Sequence, residues 1–347
     1  MKNVTMITTG ALLSAMLVSG PALSGFDRDA VGDGDRIRIQ EYPGTILNLP
    51  NWVAIDRGFC AERNLQCSTV RLESGPLGLQ TLAARNIEVS WASNDVNMQA
   101  VAQGLDVQLV LGHIPNNHYV LNVRDGVPLP NRDAGYPDVM EDLKGLNMGV
   151  TARGSAIEIQ AKALLRGAGM HDDDMTYVAV GSTATSYPAM IANQIQATVS
   201  FEPFNTLCEV QETCHALVTP GAGEGPPEMQ ALNGGFQGYI MRREFIENNG
   251  QVAHAFMATM EETINWMKDP DNFDEVMDIA RENFSLGDLP GAEEVMERLV
   301  ENQIAGYGTT VDRASIDAMS EFLMANELIA EPISSDVFVY VNAPHPE

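Results

Sequence analysis

The chain has 347 residues, which at ~100–200 residues per domain allows two domains or one fold split into two lobes. Apolar residues make up 45% and charged residues 19%, with 30 Gly and 18 Pro scattered rather than clustered, which excludes wholesale disorder, collagen and a coiled-coil rod. Lys and Arg number 20 against 47 Asp and Glu, a formal charge of −27, so the surface repels nucleic acid and anionic lipid; its plain reading is a salt-adapted, solubility-driven surface.

Residues 1–24 read as a secretory signal: Lys2 is a short basic start, Gly10 to Gly20 enclose a mostly apolar run, and Ala22-Leu23-Ser24 fits the small-x-small cleavage rule. The mature chain is expected to begin near Gly25 and to reside in a Gram-negative periplasm. The apolar run is shorter than the ~20 residues a bilayer span needs, and no Cys stands near the cleavage site to carry a lipid. The cysteines agree with export. Of the three possible pairings of four cysteines, the preferred one joins Cys60 to Cys67 and Cys208 to Cys214, each bridge closing one short turn in an oxidising compartment. Zinc needs closer Cys or His spacing, and only His215 beside Cys214 hints at it, so neither metal nor cofactor is expected.

From residue 36, short β-like runs alternate with helical ones: strand 36–42, helix 50–58, strand 67–72, helix 77–85, strand 88–93, helix 95–103 and strand 107–114. Leu79, Leu82 and Ala83 give the second helix one apolar stripe, and Val107-Gln-Leu-Val-Leu reads as buried strand. The pattern predicts a parallel sheet with helices on both faces. A further strand, 119–124, precedes a Gly- and Pro-rich loop, 125–142. The alternation then restarts with strand 146–150, helix 155–167, strand 175–180, helix 186–193 and strand 197–202. A loop at 219–227 leads to a strand at 238–241, and 243–327 reads as successive helices broken at Pro270 and Pro290. No period of 20–50 residues marks a repeat protein. The expected organisation is a first lobe over 33–124, a second over 125–234, and a return strand with C-terminal helices on the first lobe over 235–347. Two crossings between two α/β lobes make a hinge and a cleft suited to a small ligand.

Several segments carry a resemblance. Leu49-Pro-Asn-Trp-Val-Ala-Ile-Asp-Arg-Gly-Phe-Cys-Ala-Glu-Arg-Asn-Leu, then Glu73-Ser-Gly-Pro, then Leu82-Ala-Ala-Arg-Asn-Ile-Glu-Val-Ser resemble, in order and spacing, the solute-binding proteins of ABC importers in their nitrate, sulfonate, taurine and thiamine-precursor branch. Lys144-Gly-Leu-Asn-Met-Gly-Val, Gly154-Ser155, Gly167-Ala-Gly169, Phe201-Glu-Pro203 and Arg243-Glu-Phe-Ile-Glu-Asn are similar to that family's second-lobe and return motifs. Two departures fall on one turn: Arg85-Asn86 where the family usually has Gly, and Glu88 where it usually has Asp. The resemblance implies a type II periplasmic binding protein fold that performs no catalysis and hands a solute to a membrane permease and its ATPase, as a monomer.

In an open α/β sheet, ligands bind beyond the carboxyl ends of the strands, where helices begin. Those junctions supply Tyr42, Asn48, Ser74, Asn94, Asp95, Thr151, Arg153, Ser155, Ser182, Thr183 and Glu202 as candidate ligand contacts. The same residue types also serve as plain helix caps. Helix starts aimed into one cleft bind an anion without many lysines. Arg153 either clamps a sulfonate, carboxylate or phosphate, or forms a surface ion pair. Asp95 and Glu202 either hold a ligand ammonium or ring nitrogen, which with Arg153 suits an aminosulfonate, or act as a helix-turn charge and a paired strand end. His113 either donates to ligand oxygen or caps the crossing. Tyr42, Trp52, Trp91 and Phe204 are aromatic candidates that read equally as core. The leading expectation is a sulfonate- or taurine-like solute; alternatives are an aromatic carboxylate or pyrimidine ligand, or a sensor module. An enzyme reading lacks G-x-S-x-G, a His–Asp constellation or a cysteine cluster.

Overall fold

Two five-stranded mixed sheets, each flanked by helices, organise the computed structural model, which describes residues 25–287 and 291–346. The proposed signal segment lies outside the described residues. The first lobe contains β1 (Asp35–Glu41), α1 (Leu49–Asp56), α2 (Phe59–Glu62), β2 (Leu65–Arg71), α3 (Gly75–Ala83), β3 (Val89–Ser90), α4 (Asn94–Ala102) and β4 (Val107–Ile114). The second contains β5 (Val120–Arg124), β6 (Asn147–Val150), α5 (Ala156–Gly167), β7 (Thr176–Ala179), α6 (Thr183–Ile191), β8 (Ala197–Ser200), α7 (Phe204–Gln211), β9 (Cys214–Val218) and α8 (Pro227–Gln230). The chain then returns to the first lobe through β10 (Gln237–Arg242), followed by α9 (Arg243–Asn248), α10 (Gly250–Met267), α11 (Phe273–Asn283), α12 (Ala292–Gly306), α13 (Arg313–Ala325) and α14 (Ser335–Phe338).

Strand order is β2-β1-β3-β10-β4 in the first sheet and β7-β6-β8-β5-β9 in the second. The sheets are not wholly parallel as the alternation suggests: β10 runs antiparallel to β3 and β4, and β5 to β8 and β9. A strand arriving from the other lobe enters at the cleft, where the resident parallel strands end, and so must run against them. The same pairing corrects the first lobe boundary. The strand expected at 119–124 belongs to the second sheet, so the chain crosses at 115–119 and not at Arg124. The two crossings are stitched together. Gly234 and Phe236 N–H both donate to Pro115 O at 2.9 Å, and Asn117 N–H donates to Asn233 Oδ1 at 2.9 Å.

Local chemistry explains the element starts. Ser74 Oγ accepts from Leu77 N–H at the start of α3, with Pro76 in the first turn, where a missing N–H costs nothing. The turn that departs from the family pattern is accommodated: Arg85 adopts φ 60°, the region in which Gly is usual, and Glu88 takes a two-pronged ion pair from Arg38 at 2.7 and 3.0 Å. At the sheet edge, β4 is buried throughout because the C-terminal segments cover it. Tyr340 N–H donates to Leu109 O, and Gly112 N–H to Thr309 O, both at 2.9 Å. At Gly112 a Cβ would collide with the Thr310 carbonyl, so this close approach requires Gly.

The first-lobe core joins Ile37, Ile39, Val53, Leu109 and Leu111 of the sheet and α1 to Phe256 and Ile264 of α10, each burial stabilising by about 1.5–3 kcal/mol. A satellite core in the second lobe gathers Ala189, Met190, Ile195 and Phe204 around Cys208 and Cys214. Both preferred disulfides are present: Cys60–Cys67 ties α2 to β2, and Cys208–Cys214 ties α7 to β9. The sequence pattern predicts no element over 203–218, where α7 and β9 lie.

Candidate functional site

A small cavity, with about 30 Å³ open to the centre of a water molecule, lies between the lobes, beyond the carboxyl ends of the parallel strands. Four aromatic side chains form its walls: Tyr42 and Trp91 from the first lobe, Tyr119 at the crossing, and Phe201 from the second lobe. Tyr42 meets Trp91 edge-on with ring centroids 4.7 Å apart, and Tyr119 tilts against Phe201 at 5.9 Å. Leu47, Val96, Ala156 and Ile157 add aliphatic surface, and Ser93, Thr151, Ser155 and Gln237 the polar atoms.

Each wall is held from behind. Trp91 is fully buried, and its indole N–H donates to Gln40 O at 2.6 Å. Asn48 fixes the Tyr42 loop, donating to the carbonyls of Tyr42 (2.7 Å) and Thr45 (2.9 Å) and accepting from Tyr42 N–H (3.0 Å). Burial raises the Tyr42 and Tyr119 phenols well above their ordinary value, so both are neutral hydroxyls at any physiological pH.

Two buried polar atoms on the lining have no hydrogen-bond partner among the described residues: Ser155 Oγ, at the start of α5 in the second lobe, and Gln237 Oε1, at the start of β10. These residues are 2% and 5% exposed. Gln237 Nε2 is occupied, donating to Trp91 O at 3.2 Å.

Asp95 lies one layer behind Ser93 and Val96 and is fully buried. It accepts from Ser93 Oγ, from Val96 N–H at 2.7 Å and, across the cleft, from Gln160 Nε2 of α5 at 2.9 Å. Burial pushes the Asp95 carboxyl up, and these donors oppose the shift. Two more hydrogen bonds close the lobes: Thr45 Oγ1 donates to Glu202 O at 2.7 Å, and Ser182 Oγ to Glu73 Oε2 at 3.3 Å.

Of the residues singled out from sequence, Tyr42, Trp91, Thr151 and Ser155 line the cavity. Asn48 and Asp95 support it from behind. Ser74 caps α3, while Asn94 donates to Gly235 O at 2.8 Å and so anchors the return crossing. Glu202 turns inward to cap its own helix start, accepting from Thr206 N–H at 3.1 Å, and burial raises its carboxyl. Thr183 begins α6 and borders a smaller second-lobe hollow.

Arg153 lies outside the cavity. It is 61% exposed, pairs with Glu158 at 2.9 Å, covers the Tyr177 ring at 5.4 Å and borders an outer groove with Gln80, Gln99 and Gln103. The buried Glu158 carboxylate, which also accepts from Gly154 N–H and Lys162, draws the guanidinium to the outer side of the turn. Among the described residues no Lys or Arg lines the cavity. His113 is fully buried behind Trp91, packed also against Tyr239 and Tyr307. Burial lowers its imidazole to about 3, so it is neutral and faces no cleft. Of the aromatic candidates, Trp52 and Phe204 are core residues.

Sequence reasoning missed Tyr119, Phe201 and Gln237. Tyr119 and Gln237 stand where the two crossings enter the sheets, a signal visible only once the crossings are correctly placed.

The sequence model of one family, described as NMT1/THI5 like, matches residues 48–272. A search of the curated proteins finds no match. Among solved structures, the alkanesulfonate-binding protein SsuA from Xanthomonas axonopodis pv. citri bound to MOPS is similar at 17% identity and a TM-score of 0.67, with 90% of this chain and 99% of that one covered. The periplasmic aliphatic sulphonate binding protein SsuA from Escherichia coli gives 18%, 0.64, 90% and 94% in the same measures. The periplasmic nitrate-binding protein NrtA from Synechocystis PCC 6803 gives 16%, 0.63, 89% and 85%. These likenesses establish the type II periplasmic binding protein fold.

Proposed function

This chain belongs to the NMT1/THI5-like family, and from that premise we propose that it is the solute-binding component of an ABC importer. In this reading it works outside the cytoplasmic membrane, in the periplasm, as a monomer. It traps a flat, uncharged or protonated aromatic solute of the pyrimidine type and presents it to a permease and its ATPase. The observation that carries the reading is the cavity wall: four aromatic rings, with no Lys or Arg among the described lining residues. Aromatic faces stack on a flat ring, and two neutral phenols and a serine supply hydrogen bonds without demanding charge. A sulfonate is ionised at every physiological pH, and burying it among aromatic walls without a Lys or Arg on the described lining is opposed by its desolvation.

One observation favours a second reading. The start of α5 faces the cavity through Ser155 and Ala156, and a helix start with a buried hydroxyl accepts one anionic group. An aromatic carboxylate satisfies both features. Alkane sulfonates and taurine, expected first from sequence, satisfy only this one.

A thermal-shift panel of pyrimidines, aromatic carboxylates, taurine, an alkanesulfonate and nitrate tests the proposal. A solute at a hundred times its Kd adds ~2.7 kcal/mol of stability. Stabilisation by pyrimidines is expected; stabilisation by taurine or nitrate with none by any aromatic compound overturns it.

A further inference from the structure

We infer that Gln237 is the specificity-determining residue of the cavity, and that it selects solutes carrying an N–H or O–H donor on the ring edge that faces the start of β10. The inference rests on the aromatic-solute reading and deepens it. Its basis is a constraint on one amide. A side-chain amide can normally turn either end toward a ligand, offering an acceptor or a pair of donors. Here the choice is removed. Trp91 O is a carbonyl and can only accept, so it holds Nε2 of Gln237 at 3.2 Å and leaves Oε1 of this cavity-lining residue without a partner among the described residues. Trp91 itself cannot shift to release it, being fully buried with its indole N–H bonded to Gln40 O. Gln237 therefore presents a fixed acceptor, 95% shielded from water and without a partner among the described residues.

An acceptor in that position discriminates strongly. A solute that donates to it completes a hydrogen bond; a solute of the same shape with a methyl group there leaves the carbonyl oxygen buried and unpaired. Ser155 Oγ on the opposite lobe behaves differently. A hydroxyl rotates to donate or accept, so it tolerates a ring nitrogen, a carbonyl or an amine. The two orphan atoms belong to different rigid bodies, one carried by β10 of the first lobe and one by the start of α5 of the second. A solute that meets both is held by both lobes, and one that meets only Ser155 leaves the first-lobe acceptor unsatisfied on closure.

The test uses two isosteric probes, 4-aminopyrimidine and 4-methylpyrimidine, both uncharged at mildly alkaline pH. Each is titrated calorimetrically into the wild-type protein and into Gln237→Leu, which keeps an apolar side chain one atom shorter and removes the whole amide, the acceptor and the donor to Trp91 O alike. The wild type is expected to prefer the amine by at least ~10-fold, and Gln237→Leu to bind the two within ~2-fold of each other. Equal binding of the two probes to the wild type overturns the inference and leaves the aromatic reading standing. A preference that persists in Gln237→Leu, with both affinities lowered in parallel, also overturns it, because that is the signature of a residue that only supports Trp91. Binding of an alkanesulfonate with neither pyrimidine bound overturns the aromatic reading and the inference with it. Because the wild-type comparison needs no substitution, the inference remains falsifiable if Gln237→Leu fails to fold.

Discussion

Gln160 on α5 donates to Asp95 on α4 at 2.9 Å, joining two fully buried side chains of opposite lobes. The same amide accepts from Asn117 Nδ2 of the crossing at 3.2 Å. The first of these bonds spans the cleft, so a separation of the lobes there would break it.

Replacing Gln160 with Leu removes a donor to a buried carboxyl, worth about 1.5–3 kcal/mol when the acceptor is charged. Solute affinity is expected to fall ~10-fold or more in calorimetry. Undiminished affinity would show that closure does not depend on this contact.

The raised Asp95 carboxyl fixes the sign of a pH effect. A group that holds its proton more tightly when folded contributes stability below its unfolded value, near ~4, and loses it as pH rises through the folded value. Asp95→Asn, which has no charge to bury, is expected to gain melting temperature relative to the wild type as pH is raised from about 4 to about 7. Parallel melting curves for the two proteins across that range would refute the assignment.

His113 and His118 work in the opposite direction. Burial lowers their imidazoles to about 3 and about 4. Their contribution is intact above the unfolded value, near ~6.5, and is lost as pH falls through that value toward the folded ones. Destabilisation on acidification is expected to be shallower in His113→Phe, which keeps a ring against Trp91, Tyr239 and Tyr307, than in the wild type. Chemical denaturation at a series of pH values reads the difference in slope.

Arg153→Ala is expected to leave solute affinity within ~2-fold and to cost less than about 1 kcal/mol of stability, because the guanidinium itself is largely exposed and its buried partner Glu158 does not depend on it alone. Glu158 keeps Lys162 and the Gly154 N–H as partners. A tenfold loss of affinity in calorimetry would place the guanidinium at the solute after all.

Hydrophobic periodicity makes the two α/β units readable, because β4 is buried along its length around the apolar run Leu109–Leu111 and α5 carries one apolar face. The antiparallel strands escaped it. Period-two patterning reports which face of a strand is buried, not which way the strand runs or which sheet receives it, so the crossing at 115–119 was placed late. The short α7 and β9 were hidden for a related reason: they pack on a small satellite core built around a disulfide, which leaves little apolar pattern. At the site, helix-start reasoning located Tyr42, Thr151 and Ser155. It leaves Arg153 open between a ligand clamp and a surface ion pair; the guanidinium pairs with the buried Glu158 one turn further along, and sequence spacing does not show which side of a turn is buried.

The seam between the crossings limits how the molecule can move. With Pro115 O shared by Gly234 and Phe236, and Asn117 bound to Asn233, the two connections cannot slide past each other without breaking three bonds, yet they can flex together. A strap of this kind permits one swing and resists torsion. The rims meet at Thr45–Glu202 and Ser182–Glu73, and under the proposed function a transport partner that reads both rims would be offered one shape only when the cover is down.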